Sequence, residues 1–257
     1  MDILQKALSA VEAGEAVVLA TVVSVTGSAP RAPGARMLVR ADGQLEGSVG
    51  GGEIEHAAIN QAREMLERGG GAAQLTEVRT DCGGKVGVFI ERLAPLRRLF
   101  IVGAGHVGKA VASMAASAGF AVTVIDRLAD AQWLAELGIA LEKSDEPAAL
   151  EAIEHPGSAQ VLIATGTHEA DRGWAVAALQ LGFAGVGVVG SSRKAKTIVK
   201  AAQNAGLPAE RVAAIRCPVG LAIGAVTPVE IAMAIVAELI CLQRTGDRKA
   251  TERSATS

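Results

Sequence analysis

Apolar positions fall into short continuous runs separated by longer periodic stretches. Ile3, Leu4, Ala7, Leu8 and Val11 recur at three- and four-residue spacing, which predicts a helix over 2–13 ended by Gly14. Ala16 to Val25 is β-branched and reads as a buried strand. Met37 to Arg40 reads as a strand, Asp42-Gly43 as a hairpin turn, and Leu45 to Val49 as the returning strand. A helix over 53–68 follows, then strands at Gln74 to Arg79 and Val86 to Ile90. Past Leu93-Ala94-Pro95-Leu96-Arg97, which reads as a domain boundary, four more apolar runs appear. Leu99 to Val102, Ala121 to Ile125, Val161 to Thr165 and Val186 to Val189 all read as strands. Leu134 to Leu141 and Ala148 to Ile153 read as helical or short elements. Thr227-Pro228-Val229-Glu230 is a capping box with Pro at the first helical position, and it launches a helix to about Leu242. Ile231, Ile235, Leu239 and Leu242 form the core-facing stripe of that helix.

The most informative stretch is Leu99 to Arg127. A buried strand leads into Gly103-Ala104-Gly105-His106-Val107-Gly108, a G-x-G-x-x-G turn. Val111, Met114, Ala115 and Ala118 then give an apolar helical face stopped by Gly119. A second strand follows and ends at Asp126, 18 residues past Gly108. Gly103 permits the tight turn, Gly105 lets a pyrophosphate approach the backbone, and Gly108 lets helix and strand pack closely. The helix start offers N–H groups and positive dipole to phosphates, and Asp126 suits ribose hydroxyls. This spacing predicts an α/β fold: a Rossmann-type parallel sheet with helices on both faces over 95–245. A smaller α+β domain is expected over 1–94, and the polar, charged 246–257 is expected to be a disordered tail.

Composition narrows the function classes. Aromatic residues are 2% and Tyr is absent, so stacking platforms for single-stranded nucleic acid are not expected. A net charge of −2 gives no reason to expect nucleic acid or an anionic membrane. No apolar run reaches the roughly 18 residues that a membrane helix needs, and the first residues lack a signal-peptide pattern. The expected location is the cytoplasm. Cys82, Cys217 and Cys241 are odd in number and far apart, so neither a disulfide framework nor a zinc site follows.

Several polar stretches are candidates for chemistry. Gly50-Gly51-Gly52-Glu53 is either a strand-to-helix turn with Glu53 near the helix dipole, or a cradle for an anionic ligand. Cys82 is either a small semi-buried apolar group or a thiolate ligand in an open glycine turn. His168 and Asp171 are acid/base candidates or polar groups at a helix start. Ser191, Arg193 and Lys194, followed by Lys196, suit a phosphate or carboxylate, or else form a cap and a solvated basic face.

Taken together, VVSVTGSAPRAPGARMLV, GSVGGGEIE, DCGG, FIVGAGHVGKAVA, VGVVGSSRK and CPVGLAIGAVTPVEIAMAIVAELI resemble the XdhC/CoxI family. Its members are accessory proteins of xanthine dehydrogenase and related molybdenum hydroxylases. The resemblance runs from about Ala20 to Ile240. It implies a chaperone that binds molybdenum cofactor (molybdopterin, or its dinucleotide form) and protects it during sulfuration. The chaperone then hands the cofactor to an apo molybdenum hydroxylase. It also implies a cysteine desulfurase as a further partner and a homo-oligomer. Gly50, Gly51, Gly52 and Glu53 match the family's glycine-rich acidic stretch, Cys82, Gly83 and Gly84 its Cys-Gly-Gly turn, and Gly190, Ser191, Arg193 and Lys194 its Gly-Ser-x-Arg-Lys stretch. Cofactor contacts are therefore expected at these positions and at Gly103, Gly105, His106, Gly108 and Asp126, with Cys82 as the metal ligand. Three departures stand out. Asp81 replaces a frequent Pro, Ala222 stands where Gly-Leu-Asp-Ile-Gly would place Asp, and Glu169 follows His168. The alternative is an NAD(P)-dependent oxidoreductase, with Asp126 favouring NAD and His168 as acid/base. A nucleotide-sensing regulatory subunit is a third reading.

Overall fold

The computed structural model describes residues 2–68, 73–79 and 83–245. The chain divides into two compact units, Met1–Leu96 and Arg97–Ser257.

The first unit is one antiparallel sheet with a helix on each face. Its strands are β1 (Val17–Thr26), β2 (Arg36–Arg40), β3 (Leu45–Gly47), β4 (Gln74–Arg79) and β5 (Lys85–Leu93), in the order β3-β2-β1-β5-β4. Burial on both faces explains the apolar run at the start of β1, Val17 to Ala20. Val18, Ala20 and Val22 face α2 (Gly52–Glu67), where they meet Ile54, Ala58, Ala62 and Met65. Val17 and Leu19 face the other way and pack with Leu38 against Ala7 and Ala10 of α1 (Ile3–Glu12). The helix over 2–13 is present, but its inward face is not the one the leucines mark. Leu4 and Leu8 are 44% and 58% exposed. Five apolar positions make a stripe wider than the contact, and the alanines, which allow close approach, occupy its centre.

The second unit is a six-stranded parallel sheet. Its strands are β6 (Arg98–Val102), β7 (Ala121–Ile125), β8 (Ala140–Glu142), β9 (Ala159–Ile163), β10 (Gly185–Val188) and β11 (Ile215–Arg216). Their order is β11-β10-β9-β6-β7-β8, the doubly wound arrangement that opens a crevice between β6 and β9. Leu99 and Ile101 of β6 point to one face, where α3 (His106–Ser117) and α8 (Pro228–Thr245) supply Val111, Ala115, Ile235 and Leu239. Phe100 and Val102 point to the other. There α5 (His168–Leu181) supplies Trp174 and Leu179, and α6 (Ser192–Asn204) supplies Ile198. A strand buried on both faces needs apolar residues at successive positions, as β6 has from Leu99 to Val102. Truncating Leu99 or Ile101 to Ala would cost about 2–5 kcal/mol. Two short strands depart from the expected elements. β8 (Ala140–Glu142) overlaps the end of Leu134 to Leu141, which also takes in the second half of α4 (Ala131–Glu136), and β11 follows α7 (Ala209–Val212). The capping box forms as the sequence predicts: Glu230 Oε2 accepts from Thr227 N at 2.9 Å, and Glu230 N donates to Thr227 Oγ1 at 3.3 Å. Among the described residues, no helix is long and apolar enough to cross a membrane.

Candidate functional site

The C-terminal ends of β6 to β10 open into a cleft of about 770 Å³. Its centre is the turn from β6 into α3. Gly103 sits at φ +99°, and a Cβ there would lie 2.4 Å from Ala164 O, so the turn closes against the end of β9. A Cβ on Gly108 would lie 1.9 Å from Gly103 O. Both glycines therefore serve backbone contact within the fold. Gly105 differs: its φ is −70°, which any residue adopts, and no atom lies within 4 Å of its Cβ direction. It is also the N-cap of α3, with no side chain to cap the first turn. Gly105, His106 and Val107 line the cleft.

Asp126, just past β7, lines the cleft and also braces the turn. Its Oδ2 accepts from Ala104 N at 2.7 Å and its Oδ1 from Leu128 N at 2.7 Å. The carboxylate thus fixes the glycine turn, and each oxygen retains a lone pair for a hydroxyl. Beyond it, Arg127 and Asp145 form an exposed pair at 2.8 Å, and Ser144 and Leu128 complete that end of the cleft.

The opposite end is built from Thr165, Gly166 and Thr167 after β9, Asp171 and Trp174 on α5, Val189 and Gly190 after β10, and Lys194 on α6. Asp171 is fully buried and pairs with Lys194 Nζ at 2.6 Å. Thr167 caps α5 through Ala170 N at 3.3 Å. Ser191 is the N-cap of α6, accepting from Lys194 N at 3.4 Å. Of the basic stretch, only Lys194 lines the cleft, and Arg193 is exposed and off the lining. His168 is likewise exposed and outside the lining, and Ala222 lies on an exposed loop. Near this end, burial pushes the half-buried Cys217 thiol up, Lys194 opposes that shift, and Asp171 adds to it.

In the first unit, the three glycines lead into α2 in left-handed conformations, with φ of +138°, +74° and +54°. A Cβ on Gly50 would meet Pro30 Cγ at 3.0 Å, whereas Gly51 and Gly52 open outward. The acid that engages this loop is Glu55, not Glu53, which is exposed. Ser48 Oγ donates to Glu55 Oε1 at 2.5 Å. That hydroxyl, helped by the amides of Gly51, Gly50 and Val49, holds the Glu55 carboxyl below the usual range against its partial burial. The loop's N–H groups thus already serve an anion belonging to the chain. Gly84 lies against the loop after β1, where a Cβ would sit 2.1 Å from Ser28 O. Gly83 has φ +80° with open space around it. Asp81 and Cys82, the proposed thiolate ligand, lie outside the described residues. Among the described residues, no cluster of three or more His, Cys, Asp or Glu is placed to hold a metal ion.

Sequence reasoning missed Thr165, Ser144, Asp145 and Pro228. Recognising β8 and the strand order would have pointed to the first three, because ligands in such sheets gather outside the carboxyl ends of the strands.

Comparison with known proteins places this geometry in a family. Residues 99–239 match the XdhC Rossmann domain, and residues 10–78 match the XdhC and CoxI family. A protein of Escherichia coli K12 named YqeB, itself uncharacterised, is 33% identical over 255 residues, covering 93% of this chain and 46% of that protein. The molybdenum cofactor insertion chaperone PaoD of the same organism is 35% identical over 107 residues, covering 39% of this chain and 34% of PaoD. The chain therefore spans less than half the length of either relative. A solved structure described as a xanthine dehydrogenase from Bacillus halodurans shares the fold, with a TM-score of 0.53, 19% identity and 99% of each chain covered. With models matching both halves and a 33%-identical relative aligned over 93% of this chain, the chain belongs to the XdhC and CoxI family.

Proposed function

We propose that the chain binds molybdenum cofactor in a nucleotide-bearing form and delivers it, after sulfuration, to a molybdenum hydroxylase of the xanthine dehydrogenase type. The observation that carries this reading is Gly105. Its neighbours Gly103 and Gly108 are consumed by backbone packing, while Gly105 alone leaves open space over an uncapped helix start. A pyrophosphate fits there, taking N–H groups and positive dipole. A volume of about 770 Å³ suits a ligand larger than one nucleotide and lies within the range of ligand pockets. The name of PaoD, a molybdenum cofactor insertion chaperone, supplies the cargo. In this reading Asp126 receives a ribose hydroxyl. The protein works in the cytoplasm as a homo-oligomer, with a cysteine desulfurase supplying sulfur.

Asp126 also favours a second reading, an NAD-dependent oxidoreductase. That reading needs a proton donor at the cleft: the candidate His168 is exposed and off its lining, which leaves His106 on the glycine turn itself. The test has two arms. Protein carrying cofactor should activate an apo-hydroxylase in a purified mixture, and NADH should show no turnover with oxidisable or reducible substrates. NADH turnover without hydroxylase activation would reverse the assignment.

A further inference from the structure

The end of the cleft over β9 and β10 holds a charged cluster that the glycine turn does not explain. Asp171 is 0% exposed. Its Oδ1 accepts from Thr165 N at 3.1 Å and Thr165 Oγ1 at 2.7 Å, and its Oδ2 accepts from Lys194 Nζ at 2.6 Å. Lys194 Nζ also donates to Val189 O at 2.9 Å. An ammonium carries three N–H groups, so these two bonds leave a third. The Lys194 side chain keeps 11% of its surface exposed, and it lines the cleft. Gly190 makes room for it: a Cβ there would lie 2.5 Å from Lys194 Cδ. Gly166, on the same stretch of lining, has nothing within 4 Å of its Cβ direction. A buried ion pair adds little stability over an apolar pair of similar volume, so stability alone does not account for this arrangement.

We propose that Lys194 is a ligand-binding donor for the distal half of a dinucleotide-type ligand, and that Asp171 and Thr165 are positioning residues that aim it. The proposal rests on the reading that the glycine turn takes a diphosphate. It names the class of ligand: a nucleoside diphosphate compound whose far half turns an oxygen acceptor towards β9 and β10. A mononucleotide would occupy the glycine-turn end alone. Asp171 neutralises the lysine, so the contact works by direction and not by long-range field. Its contribution is therefore insensitive to salt, unlike that of an exposed cation.

Calorimetric titration of the full chain with AMP and with ADP-ribose tests this. Wild type should bind both, ADP-ribose more tightly. Lys194→Met should lower ADP-ribose affinity roughly tenfold or more, the scale of one charge-assisted hydrogen bond, and leave AMP within about twofold. The double variant Lys194→Met with Asp171→Leu removes both charges together. It should fold with little loss of stability and show the same selective loss. Asp171→Asn keeps the shape but releases the lysine, and should lower ADP-ribose affinity by a smaller factor with AMP unchanged. Equal effects on both probes, or no effect on either, would overturn the proposal, as would a wild type that binds AMP but not ADP-ribose. A wild type that binds neither would instead remove the diphosphate reading on which it rests.

Discussion

Exchanging side chains onto two glycines of the same turn should separate ligand contact from packing. In Gly108→Ala the added methyl would lie 1.9 Å from Gly103 O and 3.0 Å from Gly103 C. Ordinary contact needs more than 3 Å, so α3 or the turn must move by over an ångström. Overpacking of this kind costs about 1–3 kcal/mol. For a unit of this size, each kcal/mol lowers Tm by roughly 2–4 °C, so a fall of about 2–12 °C is expected. In Gly105→Val the backbone is already in an ordinary conformation and no atom lies within 4 Å of the new Cβ. The cost is that of a poorer helix cap, about 1 kcal/mol. The isopropyl group, however, fills the space a diphosphate needs, and ADP-ribose affinity should fall more than about tenfold, over 1.4 kcal/mol. Thermal melts and calorimetric titration give the two numbers. A Gly105→Val protein that binds as tightly as wild type would refute the reasoning, as would a Gly108→Ala protein with unchanged Tm.

Three further outcomes follow from particular contacts. Glu238 is 7% exposed and accepts from Arg216 Nη1 at 3.3 Å and Gly220 N at 3.2 Å, so Glu238→Ala should lose about 3 kcal/mol in a denaturant titration. The Glu55 carboxyl is held below its usual range in the folded protein, so its stabilisation is present above the ordinary glutamate value and is lost as pH falls through the folded one. Glu55→Gln should therefore destabilise at pH 7 by about 1 kcal/mol after allowance for solvent screening, and the gap to wild type should close as pH falls below the ordinary glutamate range. Cys82→Ser should leave Tm unchanged while lowering the molybdenum retained per chain, and unchanged retention would remove the thiolate from the account.

What was legible in the sequence tracks how local each feature is. The β6–turn–α3–β7 unit lies within 29 consecutive residues, and Gly103 and Gly108 in it make backbone contacts that leave no room for a side chain, so its spacing alone identified it. β8 and β11 have three and two residues, too few to show periodicity, and their strand character comes from pairing with β7 and β10. The two ends of the cleft differ in the same way. Asp126 belongs to the motif, but its hold on Ala104 N spans 22 residues and is invisible to spacing. Asp171 and Lys194 each look like an ordinary polar residue at a helix start, and only the sheet order brings α5 and α6 together. Glu53 drew attention as the acid beside three glycines. The helix turns it outward and returns Glu55 to the loop.

The central claim is that this chain carries molybdenum cofactor in the cleft of its second unit. The direct measurement is molybdenum and pterin per chain, by elemental analysis and pterin fluorescence, on protein purified from molybdate-fed cells. Wild type should carry both in equal amounts, and Gly105→Val should carry neither while melting close to wild type. Wild-type protein without molybdenum or pterin, or equal loading of the two proteins, would contradict it.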